Sequence, residues 1–242
     1  MLRLTLAALG FSLLARPAHG QAVTGPPEVR QLVTFLFAPG KSAEAMRIYE
    51  ASLVPIYREM SDLLRLRGFR EVESPEPLDL MIVSSYAGME GMERASPDLR
   101  RPAADGRTAL QWYGALSALS QQHHDQFVEM LSTLSDTPRD TEGLVAFEVL
   151  HVAPGRSLEL EQAIRQERTR LGRGPQAAVQ WSETGRMLIA DRWTHLRIHG
   201  LRGLADWPLY LARRNQAAGA LESLVVARKT LLVRGVPALA VR

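Results

Sequence analysis

Along the chain, near-continuous apolar runs alternate with mixed stretches in which apolar residues recur every three or four positions. The clearest such pair occurs twice. Residues 29–44, VRQLVTFLFAPGKSAE, return without a gap at 144–159 as LVAFEVLHVAPGRSLE. Each copy is rich in β-branched, aromatic and leucine positions, the composition of an extended, buried segment. Pro39 and Pro154 then remove a ladder donor, and Gly40 and Gly155 tolerate the left-handed backbone of a tight turn. Ser42 and Ser157 are placed to cap a first helical turn, with Glu44 and Glu159 favourable against its dipole. The pattern predicts two strand-turn-helix units, with a spacing suited to a tandem duplication.

Between these landmarks the period changes in a similar order in both halves. After Ser42, the positions Ala45, Ile48, Tyr49, Leu53, Ile56, Met60 and Leu63 predict a helix broken near Pro55 and ended by Gly68. Strands are expected at 69–73 and 80–86, joined through Pro75-Glu76-Pro77. Their counterparts are 177–182 and 187–193, joined by a turn at Glu183-Thr184-Gly185-Arg186, so that MIVSSY at 81–86 lies over MLIADR at 187–192. Residues 88–106 read as a short helix and a loop. Residues 108–134 read as one long amphipathic helix through Trp112, Leu116, Leu119, Phe127, Met130 and Leu134, which leaves the first half without a visible fourth strand. A helix at 201–215, another ending at Lys229 and a last strand at 230–234 complete the second half.

The order strand, helix, strand, strand, helix, strand defines the expected class. It is α+β, with two fused ferredoxin-like βαββαβ halves whose antiparallel sheets pack together and whose helices lie outside. The divisions are 21–135 and 144–242, linked by the polar, turn-rich 136–143. Residues 1–20 are set apart as a signal peptide. Arg3 precedes the apolar 4–14, and Ala18-His19-Gly20 supplies small residues for cleavage near Gly20. The expectation is a periplasmic or secreted protein with no membrane span once the leader is removed.

Composition adds exclusions. There is no cysteine, so an exported chain must rely on its core rather than on disulfides. Without Arg3 and Arg16 the chain carries 27 basic and 26 acidic residues, a balance that gives no field for nucleic acid. Nucleophile elbows, phosphate loops and dinucleotide fingerprints are missing, which removes several large enzyme classes.

The candidate chemistry is a set of ring side chains. His151 shares a strand face with Val145, Phe147 and Val149 and is expected to point inward. His123 falls on the apolar seam of the predicted long helix, where His124 and Asp125 diverge from it, so His-His-Asp is not read as a metal site. His195 and His199 are spaced i, i+4 but lack the accompanying glutamate of a zinc helix and are read as a loop or helix-start pair. Trp193, Trp181 and Tyr86 are expected near the sheet, where they line a pocket for a flat ligand or fill the core. The ligand-pocket candidates are therefore His151, Trp193, Trp181, Tyr86 and His123, with no metal and no cofactor.

The element order, the junctions at 38–42 and 153–157 and the tandem layout resemble the dimeric α+β-barrel superfamily, in particular its NIPSNAP-like and antibiotic-biosynthesis-monooxygenase-like members. The resemblance implies two sheets merged face to face, with helices covering the outside. It also implies cofactor-independent oxygenase chemistry or haem degradation built on an Asn, Trp and His set. That set is not matched here, because Asn215, near a helix end, is the only asparagine. The reading from sequence is therefore an exported protein binding a small apolar molecule between its halves. An oxygenase-type enzyme and a purely structural partner are the alternatives, and oligomerisation stays open.

Overall fold

A computed structural model describes residues 25–136, 143–170, 178–216 and 219–241. The leader assigned to 1–20 and residues 137–142 of the expected linker lie outside the described residues.

Among the described residues, eight strands form one closed antiparallel barrel. In chain order they are β1 (Val29–Phe37), β2 (Leu63–Glu73), β3 (Leu80–Tyr86), β4 (Ser120–Met130), β5 (Leu144–Val152), β6 (Val179–Ile189), β7 (His195–Leu201) and β8 (Val225–Val241). Around the barrel the order is β4-β1-β3-β2, continuing β8-β5-β7-β6 and returning to β4. Each half thus contributes its fourth, first, third and second strands in the same sequence, as a ferredoxin-like sheet does. The helices lie outside. They are α1 (Ser42–Ile48), a π-turn at Tyr49–Leu53, α2 (Val54–Glu59), α3 (Gly88–Ala95), α4 (Ala109–Leu119), α5 (Ser157–Arg170), α6 (Asp206–Gln216) and the short α7 (Gly219–Glu222).

The two Pro-Gly corners are built alike. Gly40 and Gly155 adopt φ of 78° and 79°, and the amides of Lys41 and Arg156 donate back to the carbonyls of Ala38 and Ala153 at 2.9 and 3.1 Å. Ser42 does not cap α1. Lys41 occupies that position with no side-chain cap, and the basic residue instead pairs with the glutamate three positions on. Lys41 meets Glu44 at 2.9 Å and Arg156 meets Glu159 at 2.9 and 2.5 Å.

Four expectations from periodicity are corrected. First, residues 108–134 are not one helix. A reciprocal cap between Thr108 and Gln111 starts α4, which stops at Leu119, and Ser120 turns extended into β4. The first half therefore has its fourth strand, because the β1 backbone needs a partner on both sides and β4 supplies one from Val29↔Glu129 to Phe37↔Ser120. Second, β2 begins at Leu63 rather than at Phe69. Leu63 and Leu66 are three apart, a helical spacing, yet a bulge between Leu63 and Arg65 puts both on the helix-covered face. Third, Glu183-Thr184-Gly185-Arg186 is mid-strand in β6, and the connection to β7 comes after Ile189. MIVSSY therefore corresponds to His195–Leu201 and not to residues 187–192. Fourth, the last strand runs well beyond 230–234 on both sides.

Both faces of the central strands are covered, so β3 and β7 are buried along their whole length. Inward side chains, among them Leu32, Phe69, Met81, Val83, Phe147, Trp181, Ile198 and Val233, fill the barrel. Outward ones meet the helices. Phe35, Tyr49, Leu53, Ile82, Tyr86 and Leu116 form the larger layer in the first half, and Leu150, Leu160, Ile164, Trp207 and Tyr210 belong to the second. Each fully buried apolar side chain stabilises by about 1.5–3 kcal/mol.

Candidate ligand cavity

The two halves meet along unequal seams. β2 and β8 pair from Glu73↔Leu232 to Leu66↔Val241. β4 and β6 pair only from Phe127↔Ile189 to Met130↔Gly185. Above that short seam β4 continues upward beside β1 alone, while the chain after Ile189 turns away to β7. The barrel wall is open there, and a cavity of about 770 Å³ fills the gap.

Its floor is apolar and comes from both halves: Leu32, Met81, Phe147, Val149, Leu196 and Leu231. Its rim is polar. Gln122, His123, His124, Asp125 and Gln126 stand on the β4 side, Asp191, Arg192 and Trp193 on the facing connection, and Glu76 and Lys229 across the mouth. Lys229 Nζ reaches Glu76 Oε2 at 2.5 Å. That hydrogen bond holds the Glu76 carboxyl below the usual carboxylate range, with His124 and Arg192 adding to it. The Arg192 guanidinium lies over the Trp193 ring, 5.0 Å from its centre. His123 lies against Phe35 with nearly parallel rings, 6.3 Å between centres, and its Nε2 is 3.9 Å from Asp125 Oδ2.

Of the five residues singled out from sequence, Trp193 and His123 line this cavity. His151 does follow the inward alternation of β5, opposite Ala227, but it lies beyond the lining set. Trp181 is inward and packed solid in the barrel. A Cβ at Gly200 would fall within its indole. Tyr86 faces outward into the first-half helix layer. The cavity residues missed from sequence, chiefly His124, Gln126 and Lys229, are polar and come from segments read there as helix.

The histidine pairs resolve differently from their expected settings. His123 and Asp125 share one face of a strand and His124 takes the other. His195 and His199 lie on strand β7, on its outward face, roughly 13 Å apart at strand rise and too far to grip one ion. Among the described residues no group of three or more His, Cys, Asp or Glu is arranged to hold a metal.

A second polar constellation lies outside the barrel, beneath α5 and α6. Arg197, 2% exposed, is hydrogen-bonded to Glu148 at 3.1 Å and to Glu167. Arg228 and Arg214 also approach Glu148 at 3.3 and 3.6 Å. Beside them His199 is fully buried with no hydrogen-bond partner on either ring nitrogen, and its ring meets Tyr210 at 5.3 Å. Burial and the nearby Arg197, Arg168 and Arg214 hold this imidazole well below its ordinary value, so it is neutral. The space alongside is about 10 Å³, at most one water.

No protein-family model and no curated protein matches the chain. Solved structures do. A protein proposed to be a monooxygenase from Lactobacillus acidophilus NCFM superposes with a TM-score of 0.63 at 8% identity, covering 89% of this chain and 96% of that one. The fold is that of the dimeric α+β-barrel proteins. An anthrone oxidase-like protein aligns with a TM-score of 0.62 at 10% identity over 88% and 92% of the two chains. A haem-binding protein from Thermus thermophilus gives 0.53 at 12% identity over 88% and 92%. At such identities the likeness concerns the fold. No helix among the described residues is long and apolar enough to cross a membrane.

Proposed function

We propose that this chain is an exported binding protein whose barrel mouth takes a small, largely apolar molecule between the two halves. The observation that carries the reading is the cavity of about 770 Å³, within the range of small-ligand sites, with an apolar floor and a charged rim. A guest would bury its apolar body on Leu32, Met81 and Phe147 and stack one edge on Trp193. Its polar end would be left to Lys229, Arg192 and His124. Export rests on the leader composition at 1–20. A tandem duplication, with NIPSNAP-like relatives, accounts for the repeated Pro-Gly corners and the shared strand order. N-terminal sequencing of the processed protein is expected to begin near Gln21.

Mass spectrometry of small molecules carried through native purification tests the cavity. The wild type is expected to retain a guest that Met81→Trp, which fills the floor, excludes. A wild type that carries no guest, and that binds an apolar reporter dye no better than the filled variant, defeats the proposal.

The second reading is a cofactor-independent oxygenase-type enzyme, favoured by the anthrone oxidase-like neighbour and by a cavity bearing Trp193 and His123. Turnover of the retained guest, lowered at least tenfold by Trp193→Ala, distinguishes it from simple binding. A haem reading, suggested by the Thermus thermophilus neighbour, does not fit the described residues. His195 and His199 are buried on the outward face of β7, His151 lies outside the residues that line the cavity, and His123 and His124 stand on its exposed rim.

A further inference from the structure

The barrel's lower end, opposite the mouth, is built from charge. Arg30 of β1 and Arg65 of β2 are both in register with Ser85 of β3, and Arg67 is in register with Val83. Paired residues share a face, so all three arginines stand on the inward side. Two carboxylates accompany them. Glu183 grips Arg30 with both oxygens at 2.8 and 2.5 Å, and Glu28 takes its Nε at 2.6 Å. Both acids are therefore turned toward Arg30. Arg65 is left with a buried Nη1 that has no hydrogen-bond partner, and no acid among the described residues pairs with Arg67. Burial, then the cations Arg65 and Arg30, pull the Arg67 guanidinium down to about 10.

Two deficits coincide here: a guanidinium N–H without an acceptor, and like charges held close in a partly desolvated space. One acceptor-rich anion would correct both, because a planar guanidinium fork matches two oxygens of a carboxylate or phosphate. Arg65 and Arg67 are only half-buried, so solvent species reach them. We infer that the lower end of the barrel is a binding site for a small oxyanion, held by Arg65 and Arg67, with Arg30 committed to Glu183 and Glu28 as its fixed wall. Inorganic phosphate and the carboxylate of a small metabolite share the required chemistry. The site stands apart from the mouth, being separated from it by the packed interior at Phe69, Val83 and Trp181.

The test follows the melting temperature of the full chain against sodium phosphate and, separately, sodium acetate, at constant ionic strength maintained with sodium chloride. Binding raises it with the logarithm of concentration, on the order of 3–5 °C once the anion is tenfold above its dissociation constant. The better of the two salts identifies the source. Arg67→Gln is expected to lose the rise and to melt higher than wild type in anion-poor buffer, since it relieves the repulsion. Exposed Arg100→Gln is expected to keep the rise. Should Arg67→Gln not fold, Arg67→Lys retains the charge without the fork and is expected to bind at least tenfold more weakly. A rise linear in salt and equal in wild type and variant reflects solute exclusion and overturns the inference. So does no response to either anion, or unchanged affinity in Arg67→Lys.

Discussion

His199 shows what one residue's surroundings can determine. An imidazole with neither nitrogen paired, sealed beside Tyr210 and three arginines, is stable only when uncharged. Its folded pKa therefore lies below the unfolded value near 6.5, and the unfolded chain binds the extra proton as pH falls. Stability from this group is complete above pH 6.5 and is lost below it, by about 1.4 kcal/mol per pH unit down to the folded pKa. His195 is shifted the same way, burial outweighing Glu161, and adds to the trend. Urea melts between pH 7 and 5 should show the loss, and His199→Phe should flatten most of it. An unchanged slope in His199→Phe would place the effect elsewhere. In the sequence His123 stands on an apolar seam and His199 in a spaced pair, yet His199 is the one sealed in and His123 the one exposed. Their fates differ because one strand face is covered by helices and the other stands at a rim.

At the scale of elements, legibility followed how local the decisive interaction was. β1, β5 and their Pro-Gly corners were readable, because apolar run, proline and left-handed glycine act within a few residues. β4 was not, since Gln121, Gln122, His123, His124 and Asp125 have no strand character of their own and are extended because β1 needs a neighbour. β6 was cut in two by a turn signal at Gly185, a glycine whose actual role is to leave room for Val128 and Met130 of β4. Gly200 does the same for Trp181 across the β6–β7 ladder. Gly200→Ala is expected to destabilise by about 1–3 kcal/mol in chemical denaturation, as overpacking does. Adding Trp181→Leu should recover part of that loss, and strictly additive effects would mean that the two sites do not touch. The cavity was less legible than either, for it arises where one strand outruns its partner, a fact of register that no single segment carries.

For the whole molecule, the unequal seams make a spine and a clasp. The β2–β8 ladder is the spine, and the short β4–β6 ladder beside the cavity is the clasp. Local opening should begin where fewest backbone bonds must break. Hydrogen exchange is therefore expected to be faster at the amides of Glu129, Leu131 and Arg186, which face the clasp, than at Arg70 and Arg234, which face the spine. A guest in the mouth should slow the first group and leave the second unchanged. Equal protection on both sides would show a barrel that opens only as a unit.

The upper run of β4 has one further consequence. Over Ser120–Gln126 it has β1 on one side and no β6 partner on the other, an uncovered strip of backbone on which another chain could lay down a strand. Its exposed glutamines, two imidazoles and Asp125 make that strip a poor template, since hydrated and charged side chains disfavour flat strand-to-strand addition. The sheet is thus left ajar for a small guest while its own copies are discouraged from zipping onto it.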